Sequence, residues 1–405
     1  MTTITAVRAE EVLDSRKKPT LSVTVSCSDA VGIFGVPSGA STGSTEATEL
    51  RDADGHVSHA LHNITELIAP ALIGMDAADQ RAIDAVLLAL DGTEQKARLG
   101  GNAMIGVSIA AAKAAARARS IETFEHLRSL ASMAPSRPVP YLYMNYINGG
   151  KHVPAGTTTT SIQEHLIVPE AQTVQDALAI ARSVGEKLES VIAEVCGVEA
   201  TSSMGDEGGY ILPDERMELP FQLLSRAIKE SGNEGRVRLA VDAAASSFFH
   251  QGTYSIDGGC IDAKSLAEKY EYLARTYPIL SIEDPFEEGD EAGFADIQSR
   301  IGATIVGDDL TTTNASRITH AAEAGAIQGV IIKPNQVGTL SETLDAMKAA
   351  RERGVDCIVS HRSGETMDDF IADLAFAFGA FGLKAGALRK PERVAKYERL
   401  ATISA

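Results

Sequence analysis

Leu21, Val23 and Val25 alternate with Ser22, Thr24 and Ser26. Period-two alternation puts one face of an extended chain in a core and the other in water, so residues 4–36 are expected to form strands of a half-buried sheet. The rhythm then changes. Residues 57–130 read as mostly helical, with Ala-rich apolar stretches at 82–90 and 103–118. The segment 133–140 contains three prolines and reads as a linker. Beyond it, short apolar runs at 238–242, 279–283, 304–308, 330–333 and 357–361 each end in a polar residue: Asp242, Glu283, Asp308, Lys333 and His361. Helix-like stretches such as 263–276, 316–324 and 340–353 lie between them. Strands alternating with helices in this way predict βα units and a parallel sheet.

The class predicted is therefore α/β: a small N-terminal α+β capping domain over residues 1–132, carrying a mobile lid loop, and a βα barrel over 133–405. A doubly wound open sheet is the alternative. It usually opens with a Gly-rich first turn, and no GxGxxG follows a strand in this chain.

In a βα barrel the C-terminal strand ends build the active site. Asp242, Glu283 and Asp308 stand at successive ends, and three converging carboxylates suit a hard divalent cation, Mg²⁺ before Mn²⁺ or Ca²⁺. A single strand-end acid can equally cap the following helix. Lys333 ends the next run, and a lysine there, beside a metal cluster and away from bulk water, can have a lowered pKa and act as a general base. Pro334 biases it towards an extended backbone. The segment 205–209 (GDEGG) presents two acids on a glycine-flanked turn. Residues 38–43 (SGASTG) read as a phosphate-holding loop, a mobile lid or a plain flexible loop. Residues 360–364 (SHRSG) place an arginine and two hydroxyls after a strand, which suits a phosphate or carboxylate. His56, His59 and His62 read as a solvated helix face.

Charge narrows the partners. Lys plus Arg is 37 against 55 for Asp plus Glu, a net −18. Nucleic acid and anionic membrane both require a basic face, so neither is expected as a partner. A small anionic substrate remains compatible if the site carries local positive charge. Cys27, Cys196, Cys260 and Cys357 form no CxxC pair, the start of the chain has no basic-then-apolar signal, and no run is long and apolar enough to span a membrane. A reduced cytoplasmic protein is expected.

Taken together, Asp14-Ser-Arg16, the segments 36–43 (VPSGASTG), 205–209, 281–286 (SIEDPF), 307–310 (GDDL) and 360–366 (SHRSGET), with Lys333, resemble the enolase family. The likeness runs from about residue 5 to residue 402. It implies an enolase-type barrel with an atypical start, ββαα(βα)₆, behind an N-terminal α+β domain. The activity it implies is reversible dehydration of 2-phosphoglycerate to phosphoenolpyruvate. It implies Asp242, Glu283 and Asp308 as ligands of a first Mg²⁺, and Ser41 in a mobile loop helping to bind a second that arrives with substrate. Lys333 matches the base that takes the C2 proton, and Glu207, supported by Glu164, the acid that helps the C3 hydroxyl leave. Lys384 and His361 match residues around the carboxylate and reacting centre, Arg362 and Ser363 the phosphate clamp, and His152 the lid histidine. Gln163 belongs to the same substrate-binding set. A homodimer or larger homo-oligomer goes with the family.

The chain also departs from the family pattern. Lys17-Lys18 stands where Gly-Asn is usual, Ser246-Ser247-Phe248 where Ser-Glu-Phe is usual, and Pro334 where Val is usual. The lid from His152 to Glu164 is Thr-rich and longer than usual, and 385–391 also differs. These changes leave two other readings open. One is a paralogue keeping the enolate chemistry with a second substrate, as in carboxyphosphonoenolpyruvate synthase. The other is a non-catalytic binding protein on the same fold, which loss of a metal ligand or of the base would favour.

Overall fold

The structure is a computed structural model that describes residues 1–28, 30–40 and 43–405. Strands β1 (Ile4–Leu13), β2 (Pro19–Cys27) and β3 (Ala30–Gly35) form an antiparallel meander in that order. Leu21, Val23, Val25 and Cys27 are buried, and the serines and threonine between them are half-exposed, as the alternation predicts. The turn joining β1 to β2 puts Lys17 at φ 61°, a left-handed conformation that a side chain strains. The departure from glycine at this position therefore has a local cost.

Helices follow at α1 (Ser58–Asn63), α2 (Ala69–Leu72), α3 (Gln80–Asp91), α4 (Gly101–Ala118) and α5 (Thr123–Leu130), with a π-helical turn, Ile64–Ile68, joining α1 to α2. The Ala-rich stretch of α4 has a geometric use. A Cβ on Gly32 of β3 would stand 2.0 Å from the carbonyl oxygen of Ala110. Sheet and helix backbones are nearly in contact, and only small side chains allow that approach. His59 and His62 lie exposed on α1 and His56 exposed just before it, pairing at most with Glu11 and Asp52.

The larger unit begins with β4 (Tyr141–Asn148) and β5 (Glu164–Pro169), an antiparallel pair, followed by α6 (Val174–Cys196), a short β6 (Tyr210–Ile211) beside β4, and α7 (Leu219–Glu230). The next strand is β7 (Val237–Asp242). After a small sheet, β8 (Phe249–His250), β9 (Thr253–Ile256) and β10 (Gly259–Ile261), comes its helix α8 (Ala263–Thr276). Five more pairs complete the unit: β11 (Ile279–Glu283) and α9 (Glu291–Arg300), β12 (Thr304–Gly307) and α10 (Ala315–Glu323), β13 (Gly329–Ile332) and α11 (Leu340–Glu352), β14 (Asp356–Ser360) and α12 (Phe370–Phe378), β15 (Gly382–Lys384) and α13 (Pro391–Ile403). Strand β15 pairs with β4, so the sheet closes into an eight-stranded barrel and is not a doubly wound open sheet. Tyr143, Leu166, Val168, Ala240, Val306, Ile331 and Ile358 fill its interior. In this unit the N-cap oxygens of Thr173, Asp262, Asp290, Asn314 and Thr339 each accept a backbone N–H at the start of their helices.

The N-terminal unit is fastened to the barrel through a buried acid. Asp84 of α3 accepts from Ser108 Oγ of α4 at 2.6 Å and from the backbone N–H of Ser341, in the first turn of α11, at 2.8 Å. Ser108 Oγ in turn accepts from the N–H of Leu340 at 2.9 Å. A carboxylate at a helix N-terminus is well placed against the helix dipole. Asp84→Ala leaves buried donors unsatisfied. It is expected to cost about 2–3 kcal/mol, read as a lower midpoint in urea with unchanged slope. A midpoint equal to that of the parent overturns this assignment.

Candidate active site

Strand register assembles the acids. Strand β5 runs antiparallel to β7, so its first residue, Glu164, stands opposite Asp242, the last residue of β7, and Asp242 in turn stands opposite Glu283, the last of β11. The three side chains form a row across neighbouring strand ends. Lys384, the last residue of β15, reaches across the mouth to all three. Its Nζ is 2.9 Å from Asp242 Oδ2, 2.8 Å from Glu283 Oε2 and 3.3 Å from Glu164 Oε1. Lys333, just past β13, pairs with Asp308, just past β12. Asp308 also accepts from Gln336 Nε2 at 3.0 Å.

The metal triad expected from sequence lies in this mouth, but Lys384 stands between Asp242 and Glu283 and Lys333 holds Asp308. Among the described residues, the compact groups with ligand atoms within 4.8 Å of one another are His152 with Glu164 and Glu207, and Asp308 with Asp284 and Asp309. Asp284 was not anticipated. Its carboxylate accepts from the N–H groups of Asp308 and Asp309 at 2.9 and 2.7 Å and so fixes the loop that aims Asp308. Its backbone, at φ 42°, is held in a strained conformation of the kind found at functional sites.

These donors suit a hard cation. Apart from His152 they are carboxylate oxygens, crowded and mostly buried. Burial, and next Asp242, pushes the Glu283 carboxyl well above the usual range; burial, and next Asp309, does the same to Asp284. A divalent ion with oxygen ligands relieves such crowding, so the residues fit Mg²⁺.

The acids around them govern both lysines. Burial works to lower the Lys333 pKa as predicted, but the Asp308 carboxylate overrides it, and the ammonium is held above its ordinary range. Lys384 is raised too: burial opposes its charge, and Asp242, Glu164 and Glu283 outweigh it.

On the facing side, Glu207 sits in the 205–209 turn, 2 % exposed. Its Oε2 accepts from Asn145 Nδ2 at 3.0 Å, and its Oε1 lies 3.1 Å from His361 Nε2. His152, from the lid, is buried with Nδ1 at 3.7 Å from Glu164 and 3.8 Å from Glu207. The two glutamates are driven apart. Burial, then the charge of Glu207, raises Glu164 well above the usual carboxyl range. Burial alone raises Glu207 as well, but the surrounding His361, His152 and Arg393 more than offset it and hold it well below.

Gln163 and Glu164 each direct an unpartnered buried oxygen, Oε1 and Oε2, within the lining of the same cavity. Arg362 donates to Glu46 Oε2 at 2.9 Å and Asn335 Oδ1 at 3.1 Å. Ser363 Oγ accepts from the N–H of Ala40 at 2.7 Å, tying residues 38–40 to the barrel. Ser41 lies outside the described residues. Glu46, Asp284 and Arg393 were missed from sequence. The GDD and SHRSG segments gave their neighbours, but no spacing connects Glu46 or Arg393 to the site.

A ββαα(βα)₆ barrel behind an α+β domain, with buried carboxylates and two lysines at its strand ends, defines a lyase of the enolase superfamily. Family models agree along nearly the whole chain: "Enolase, N-terminal domain" matches residues 4–127 and "Enolase, C-terminal TIM barrel domain" residues 135–405. The chain is 43% identical to the enolase of Methanopyrus kandleri, covering 100% of this chain and 96% of that one. It is 41% identical to the enolase of Corynebacterium kroppenstedtii (100% and 95% covered) and 42% identical to that of Methanocaldococcus jannaschii (98% and 93%). The chain belongs to the enolase family. Mg²⁺ use and a small phosphorylated substrate go with that membership. Among the described residues no helix is long and apolar enough to cross a membrane.

Proposed function

We propose that the chain interconverts 2-phosphoglycerate and phosphoenolpyruvate, residues 1–132 capping the barrel of 133–405. The carrying observation is the division of the mouth into a lysine side, Lys333 and Lys384 among Asp242, Glu283 and Asp308, and an acid side, Glu207 with Glu164, His361 and His152. Such a site takes a proton from one carbon and gives one to a group leaving the next.

Lys333 Nζ, once deprotonated, takes the C2 proton, and the electron pair moves onto the substrate carboxylate, which Lys384 faces. The C3–O bond then breaks, C2=C3 forms, and the hydroxyl leaves as water with a proton from the Glu207–Glu164 pair. The proton rests on Glu164, the member whose pKa is raised. His361 and His152 line this side. Arg362 and Ser363 hold the phosphate end, and Gln163 and Ser41 belong to the same substrate-binding set. Asp242, Glu283 and Asp308, with Ser41 for the second ion, would hold two Mg²⁺, which supply positive charge for the dianionic intermediate. The enzyme works in the cytoplasm as a homodimer or larger homo-oligomer, and its four unpaired cysteines accord with a reducing compartment.

The test is the direct assay. Protein with Mg²⁺ and 2-phosphoglycerate alone is expected to form phosphoenolpyruvate at about 10 s⁻¹ or faster, followed by the ultraviolet absorbance of the new double bond. Chelation is expected to stop it and Mg²⁺ to restore it. Turnover that requires a nucleotide-activated phosphonate defeats this reading in favour of carboxyphosphonoenolpyruvate synthase, which none of the three relatives above supports. A correctly folded, metal-loaded but inert protein defeats it in favour of a binding role.

A further inference from the structure

Arg393 is 0 % exposed, one of the largest fully buried side chains among the described residues. It lies in the first turn of α13, where the helix dipole disfavours a cation. A buried guanidinium in such a place requires acceptors. Nη1 donates to Arg362 O at 2.6 Å and contacts His361 Nδ1 at 2.6 Å; Nη2 donates to Ser363 O at 2.7 Å and Asp206 O at 3.3 Å. One side chain thus spans the two loops that carry His361, Arg362 and Ser363 on one side and Glu207 on the other. Gly386, at φ 79°, lets the β15 loop pass over this junction, since a Cβ there would be 3.1 Å from both Arg393 Cδ and His361 Cε1 and 3.0 Å from Glu207 O.

The contact with His361 has a chemical consequence. Guanidinium has five N–H donors and no acceptor. At 2.6 Å its nitrogen can face Nδ1 only if Nδ1 offers a lone pair. The imidazole proton is then on Nε2, and Nε2 is the atom 3.1 Å from Glu207 Oε1, although not in hydrogen-bonding alignment with it. Protonating Nδ1 as well would set two N–H groups against each other.

We propose that Arg393 is a positioning residue for the dehydration half of the reaction: through Nδ1 it holds His361 as the neutral Nε2–H tautomer, with the protonated nitrogen on the side of Glu207. Burial, opposed by Glu207 and aided by the Arg393 charge, holds the imidazole down to about 4, in accord with a neutral ring. The kinetic part of this inference rests on the function proposed above; the tautomer does not.

Nitrogen-15 spectra of labelled protein at neutral pH, with the His361 signals assigned by their loss in His361→Gln, are expected to show Nδ1 unprotonated and Nε2 protonated. Arg393→Met, close in length and uncharged, is expected to lose that pattern. Dehydration should fall about 100-fold in kcat while exchange of the C2 proton with deuterium stays within about threefold. Arg393→Lys, which keeps the charge without the fork, should lie between. A packing role alone would lower exchange and dehydration together and leave the tautomer in place; that result overturns the proposal. So does a parent spectrum with Nδ1 protonated, a measurement that stands even where both variants fail to fold. A protein showing the predicted tautomer but no turnover of 2-phosphoglycerate would support the Arg393–His361 assignment and defeat the proposed function.

Discussion

Lys333→Ala is expected to lower exchange of the C2 proton of 2-phosphoglycerate with solvent deuterium by about 10³-fold or more, and net turnover with it. The side chain is placed by its backbone. Lys333 sits at φ −122° and ψ 104°, extended, directly before a 3₁₀ turn, Pro334–Gln336. Its N–H donates to Thr313 Oγ1 at 2.9 Å. Pro334 follows the residue that carries the amine, and the extended backbone of Lys333 is the one a following proline favours. Alanine is compatible with that backbone; it removes the side chain beyond Cβ, and with it the ammonium that pairs with Asp308. Glu207→Gln serves as the counterpart: it removes the acid side, so it should retain measurable exchange while losing dehydration, because exchange needs only the carbanion. Equal loss of exchange in the two variants would sink the division of labour, and full exchange in Lys333→Ala would remove Lys333 from the role of base. Far-ultraviolet circular dichroism identical to that of the parent separates either result from misfolding.

The barrel was legible because its code is local. Five of the six βα units announce themselves by an apolar run ending in a polar residue, and the residues expected at strand ends, Asp242, Glu283, Asp308, Lys333 and His361, stand at or one residue past the ends of β7, β11, β12, β13 and β14; the short β15 is not among those runs. The closure of β15 on β4 is not local. It joins Tyr143 to Lys384, and nothing in either run alone separates a closed barrel from an open sheet. Protonation was the least legible property. A lysine behind an apolar run reads as desolvated and therefore acidic, yet Asp308, 25 residues upstream, reverses the sign. Arg393 was hidden for the same reason: it sits in a plain amphipathic helix, and its partners His361 and Asp206 are 32 and 187 residues away.

Glu283→Gln is expected to weaken Mg²⁺ binding by about 100-fold and to lower turnover at least as much. The charge lost is central. Glu283 is 5 % exposed, stands beside Asp242 in the strand register, and both of its oxygens lie within 3.0 Å of Lys384 Nζ. Glutamine keeps the size, so the β11 end should stay in place. It replaces one oxygen with an NH₂ that faces an ammonium, and it removes one of the charges that draw cations into the mouth. Two consequences then separate a ligand from a bystander. Direct binding, measured by titration calorimetry or by Mn²⁺ paramagnetic resonance without substrate, should weaken independently of any assay. Raising Mg²⁺ should recover only part of the turnover, because Lys384 has also lost an anionic partner and is no longer held in the same position. Unchanged affinity for the ion would show that Glu283 serves to seat Lys384 and nothing more. The metal would then belong to Asp308 with Asp284 and Asp309, the group whose oxygens already lie together.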